Sequence, residues 1–172
     1  MRTRYYPPSQ AIHRIVERLR PRAEWIGMSE HVLVPIDGSE RAFDALRFAI
    51  RHHSGDDLTV LHVVSPTEGL VGDGDATYVS QETIDAAITR GEGLCERARE
   101  IAGEEGALAD RRFDSAVRIG RPTSTIVDFA ENEGVDHIVM GSQGRSGLSR
   151  VLMGSVAETV VRRAPVPVTV VR

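Results

Sequence analysis

His137-Ile138-Val139-Met140 runs directly into Gly141-Ser142-Gln143-Gly144, and nine residues later Gly154-Ser155 opens the stretch Val156-Ala157-Glu158-Thr159. The first four residues read as a short strand, and Ser155 to Arg163 as a helix. A glycine-rich loop between a strand and a helix suits phosphate. Glycine turns tightly and brings backbone N–H groups close to oxygen. The helix start adds unpaired donors and about half a positive charge. Arg145 and Arg150 offer full charges near the mouth. The same residues also fit an ordinary turn, because Ser155-Val156-Ala157-Glu158 matches a capping box. A hydroxyl at a helix start can serve either purpose.

Outward from this loop, strand and helix alternate. His31 to Ile36 reads as a strand and Glu40 to Arg51 as a helix with Phe43, Leu46 and Ile50 on one face. Leu58 to Val64 is a second apolar run. Ser65 to Tyr78 has two Gly-Asp pairs and little periodicity, which predicts a mobile loop. Gln81 to Glu105 is a long helix with Ile84, Ala87, Ile88, Cys95, Ala98, Ile101 and Ala102 along its stripe. Phe113 to Ile119 is a third strand. Pro122 to Glu133 is a helix, with proline at its start and Gly134 just past its end. Val166 to Val171 closes the chain as a fifth strand. Short β-branched runs alternating with helices predict a parallel sheet covered on both faces. Right-handed crossovers narrow this to a doubly wound, three-layer α/β sandwich. No 20–50-residue period repeats, so a single domain is expected.

Residues 1–29 read as a separate basic extension, and residues 30–172 as the domain. Residues 1–28 carry six Arg and two Glu, whereas the rest carries an excess of acid within an overall charge of −4. Ser9 to Leu19 has helical spacing, and Met28 is a possible alternative start. An acidic body argues against a nucleic-acid binder. No apolar run approaches the ~20 residues of a membrane span, and no signal-type stretch opens the chain, so a cytoplasmic location is expected. The single cysteine, Cys95, excludes an internal disulfide and sits on a helical apolar stripe, where a core role is expected. His62 reads as packed strand. His52 and His53 lie near a helix end, and two neighbouring histidines do not by themselves make a metal site.

The spacing of Gly141, Gly144, Gly154 and Ser155 resembles the ATP-binding signature of the universal stress protein family. The similarity extends to His31-Val32-Leu33-Val34-Pro35-Ile36-Asp37-Gly38-Ser39, Val60-Leu61-His62-Val63-Val64, Gly120-Arg121-Pro122, Val135 to Ser142 and Pro165 to Val171. It implies an adenine-nucleotide alpha-hydrolase-like fold with a five-stranded parallel sheet of order 3-2-1-4-5. Strands 1 and 4 then meet at the switch in winding, where a ligand crevice opens. The resemblance implies a binding site of Pro35, Asp37, Val63, Gly141, Ser142, Gln143, Gly144, Arg145, Gly154, Ser155 and Val156. Pro35 lines the base pocket and the Val63 backbone pairs with the adenine edge. Asp37 either accepts from ribose hydroxyls or caps the helix that follows. Gln143 and Arg145 either touch phosphate or stay solvated. Valine at Gly144 or Gly154 is expected to block the phosphate's approach.

The resemblance further implies ATP, with Mg²⁺, as ligand and a homodimer through the last strand, in a stress-response binding or signalling module. The alternatives are a slow ATPase or phosphoryl-transfer enzyme, and an AMP-binding or ligand-free dimerisation module. The chain contains no lysine, so a Walker A motif is excluded, and no kinase signature is present. Asp37-Gly38-Ser39-Glu40 after the first strand is not the dinucleotide fingerprint. The protein partner is not legible.

Overall fold

A computed structural model describes residues 29–65, 81–109, 111–144 and 153–172. The Ser9–Leu19 helix, the loop following Ser65, Arg145 and Arg150 lie outside the described residues. In chain order the elements are β1 (His31–Ile36), α1 (Glu40–His52), β2 (Asp57–Val64), α2 (Gln81–Glu104), β3 (Phe113–Ile119), α3 (Pro122–Asn132), β4 (His137–Gly141), α4 (Ser155–Arg163) and β5 (Val168–Val171). The strands form one sheet in the order β3-β2-β1-β4-β5, and every neighbouring pair is parallel.

Strand alternation decides which side chains face which layer. Val32, Val34 and Ile36 point to the face covered by α1 and α2, together with Val60 of β2 and Val139 of β4. Leu33, Leu61, Ile138 and Met140 point to the opposite face, against Ile126 and Phe129 of α3 and Ala157 and Val160 of α4. The central strands are therefore apolar on both sides, and Val32, Leu33 and Val34 are fully buried. This explains why β1 reads as a continuous hydrophobic run.

The element ends follow local chemistry. Gly134 has φ +66, the left-handed conformation that glycine takes just past a helix. The last strand begins at Val168 and not at Val166. Pro165 and Pro167 carry no N–H, so neither can donate to the ladder; Pro167 contributes only its carbonyl, to the Ile138 amide. β5 is an edge strand whose side chains are half-buried, with Val168 and Val170 packed on one face and Val171 on the other. Among the described residues no helix is long and apolar enough to cross a membrane.

Candidate functional site

β1 and β4 pair through Val32↔His137 and Leu33↔Ile138. β1 leads to α1 on one face of the sheet, and β4 leads to α4 on the other. Their C-terminal ends thus diverge, and an open crevice of about 950 Å³ lies there, within the range typical of ligand pockets. Pro35 and Asp37 line it from the end of β1, Val63 from β2, Gly141 to Gly144 from the end of β4, and Gly154, Ser155 and Val156 from the start of α4. Every sequence-expected site residue within the described segments therefore borders one cavity.

Asp37 is not a helix cap. The N-cap of α1 is Ser39, whose side chain accepts from the Ala42 amide. Asp37 Oδ1 in turn accepts from the Ser39 amide at 3.0 Å and from the Ser39 hydroxyl at 2.6 Å. The carboxylate is thereby fixed in the crevice wall, beside the reach of Gly144. A Cβ on Gly144 would stand 2.5 Å from Asp37 Oδ2.

The capping box expected at α4 does not form. Gly154, and not Ser155, is the N-cap, and no side chain caps the helix. The Glu158 side chain pairs instead with Arg162, one turn on. The first amides of a helix have no intrahelical partner. Of these, the Gly154 N–H donates to the Ser142 carbonyl at 2.8 Å, which ties the two ends of the loop together. The amides of Ser155, Val156 and Ala157 remain at the positive end of α4, and all three residues line the crevice.

The loop glycines also work differently from expectation. Positive φ occurs at Gly38, Gly55, Gly106, Gly120 and Gly134, and not at Gly141, Gly144 or Gly154. Close approach, rather than a tight left-handed turn, explains the first two of these three. A Cβ on Gly141 would meet the Arg41 backbone at 2.8 Å, so this glycine lets the start of α1 lie against the end of β4. At Gly154 the nearest atoms to an added Cβ are the Ser142 carbonyl oxygen at 3.4 Å and Gln143 Cα at 3.5 Å. Those are ordinary contacts, and a small side chain fits.

The helix α2 contributes lining residues that the sequence did not single out. Ala87, Arg90 and Leu94 border the crevice, and their spacing places them on one helical face. Gly91 sits beside them and lets α2 close on β2 and β3: a Cβ there would meet His62 Cδ2 at 2.6 Å and Val117 Cγ1 at 3.2 Å. His62 is a packed strand residue, buried, with Nδ1 at 2.9 Å from the Ile36 carbonyl. Cys95 is buried, and its thiol is pushed up to about 11, first by desolvation. It stays protonated at neutral pH and has no part in the site.

A doubly wound α/β sandwich with an adenine-nucleotide alpha-hydrolase-like topology and a crevice at its switch point is the class these features define. The chain belongs to the universal stress protein family, whose model matches residues 28–172. It is 35% identical over 155 residues to universal stress protein YxiE of Bacillus subtilis, covering 84% of this chain and 100% of that one. The universal stress protein UspA from Lactobacillus plantarum superposes with a TM-score of 0.67 at 26% identity, over 83% of this chain and 97% of that one. The universal stress protein from Archaeoglobus fulgidus, solved in complex with dAMP, superposes with a TM-score of 0.56 at 28% identity. That match covers 84% of this chain and 98% of that one.

Proposed function

We propose that the chain binds an adenine nucleotide, ATP with Mg²⁺, in the crevice between the ends of β1 and β4. The observation that carries this reading is the uncapped start of α4 facing the cavity, opposite the fixed carboxylate of Asp37. Asp37 faces the ribose hydroxyls and accepts from them. Pro35 and the Val63 backbone border the base. Ser142, Gln143 and Gly144 together with the Ser155 and Val156 amides hold the phosphates, with Arg145 adding charge from the loop. A related protein of known structure is complexed with dAMP, which supports the adenine class. Asp37 is the only carboxylate bordering the crevice among the described residues, so Mg²⁺ enters as a companion of the phosphates and not through a dedicated protein cage.

The chain acts as a cytoplasmic stress-response binding or signalling module, pairing as a homodimer along the open backbone edge of β5. An edge strand of this kind is a template for a second chain. Calorimetry with ATP, ADP and AMP, each with and without Mg²⁺, tests the ligand: MgATP binds most tightly, at one nucleotide per chain. Binding of none of the three, or unchanged affinity in Asp37→Ala, refutes the reading.

A further inference from the structure

At the opposite pole of the sheet, where the strands begin, three segments converge on one cluster. Glu30 precedes β1, His53 is the C-cap of α1, and Asp56 sits in the turn into β2. Backbone bonds hold them together. The Glu30 amide donates to Asp56 Oδ1 at 2.9 Å. The Asp57 amide donates to the Glu30 carbonyl at 2.8 Å, and the Asp56 amide to the His53 carbonyl at 3.2 Å. Arg111 fixes the end of α1 by donating to the carbonyls of His53 and Ile50, at 2.9 and 3.1 Å. The His53 and Asp56 side chains are only 15% and 21% exposed.

We propose that Glu30, His53 and Asp56 bind a divalent first-row transition ion, of which Zn²⁺ is the fitting probe. One ligand atom from each lies within 4.8 Å of the other two. His53 Nδ1 and Asp56 Oδ2 are 3.3 Å apart. Two ligand atoms at about 2.0–2.1 Å from a tetrahedral ion stand roughly 3.3–3.4 Å apart, so this spacing, which an ion pair also adopts, lets both atoms reach one ion without rearrangement. Glu30, with its flexible side chain, closes the third corner, and water takes the fourth.

The donor set selects the ion. One imidazole and two carboxylates suit Zn²⁺, Co²⁺ or Mn²⁺, whereas Ca²⁺ and Mg²⁺ want six or more oxygens. Two carboxylates balance the ion's charge, while the C-terminal carbonyls of His53 and Ile50 are already engaged by Arg111. The bound ion staples the start of β1 to the α1–β2 corner and stabilises the fold in proportion to its occupancy. This cluster is roughly 20 Å from the nucleotide crevice, the length of β1 at about 3.3 Å per residue. It therefore stands or falls separately from the nucleotide.

The test is a Zn²⁺ titration of the full chain in metal-free buffer without nucleotide, by calorimetry and by competition with a chromophoric chelator. One equivalent binds per chain, and Zn²⁺ raises the melting temperature where Mg²⁺ does not. His53→Ala and Asp56→Asn each weaken binding at least tenfold. Asn at 56 keeps an oxygen to accept from the Glu30 amide, so that variant separates loss of a ligand from loss of the turn. His52→Ala is the control and binds as the parent does, because His52 stacks on Phe48 and its Nδ1 lies 3.0 Å from the Phe48 carbonyl. Co²⁺ gives a visible ligand-field band in the parent and none in His53→Ala. No saturable binding, or undiminished binding in both His53→Ala and Asp56→Asn, overturns the proposal.

Discussion

Two strand-to-helix turns flank the crevice, and they solve the same problem in opposite ways. From β1 to α1 the chain needs only Asp37, Gly38 and Ser39. There Ser39 caps the helix and Asp37 holds Ser39, so the amides of Ser39 and Ala42 are engaged by the chain itself. From β4 to α4 the chain spends residues 142–154 and arrives at Gly154, which has no side chain to offer. A side-chain cap engages one of the first amides of a helix; an uncapped start keeps that donor as well as its partial positive charge. One turn therefore supplies a fixed carboxylate and the other a set of amides, the two complementary halves of the proposed nucleotide site.

The widest departure from this division comes from removing the space between the turns. Gly144 is exposed, so Gly144→Val fills no core space, and its folding cost of about 1 kcal/mol comes from the local contact alone. Its Cβ would nonetheless press on Asp37 Oδ2, which Ser39 prevents from swinging freely. Nucleotide affinity falls about a hundredfold, about 2.8 kcal/mol, well beyond the accompanying drop in stability. Calorimetry beside a urea melt reads both numbers. Unchanged affinity would mean that the two turns do not act on one ligand.

The elements on either side of this contrast were legible in the sequence, but the contrast itself was not, because the sequence read a cap at Ser155 that does not form. The β-branched runs at His31–Ile36 and Leu58–Val64, Pro122 at a helix start and Gly134 past its end mark the elements, because strand burial and helix termini leave local signatures. The crevice was placed by the family resemblance and the strand order it implies, since the loop alone fits an ordinary turn as well. The roles of individual glycines did not show. Gly141 makes room for the Arg41 backbone, and Gly91 for His62 and Val117, and a sequence does not state which neighbour will approach. Asp37, Ser39 and Ser155 all have cap chemistry, and the choice among them depends on where the first helical turn is laid down. Ala87, Arg90 and Leu94 join the site only because α2 packs across the ends of β2 and β3. Glu30, His53 and Asp56 meet only when β1 pairs with β2 in the register His31↔Asp57.

Stripping the closed turn of its cap has a smaller effect, and it falls on the other observable. Ser39→Ala removes the hydroxyl that accepts from the Ala42 amide and donates to Asp37. Loss of such a cap costs about 1 kcal/mol, so the urea midpoint drops clearly. Asp37 keeps its bond from the residue 39 amide, as the 3.0 Å contact is made by the backbone, and nucleotide affinity falls only severalfold. If the affinity loss matched that of Gly144→Val, the hydroxyl would be part of the ligand site and the division of labour would fail.

The smallest and most discriminating change gives the open turn the cap it lacks. At Gly154 φ is −68 and ψ is 152, the extended geometry of an N-cap that any residue adopts, and an added Cβ meets nothing closer than 3.4 Å. Gly154→Ser therefore fits, and serine at this position is better than glycine by a few tenths of a kcal/mol. Its hydroxyl accepts from the amide of Val156, proposed above as a phosphate donor, or from that of Ala157 beside it. Stability and affinity then move in opposite directions: the melt shifts slightly upward, and nucleotide binding weakens about threefold, about 0.7 kcal/mol. A substitution that merely disturbed the loop would lower both. The opposed signs are what an uncapped helix start held open for an anion requires.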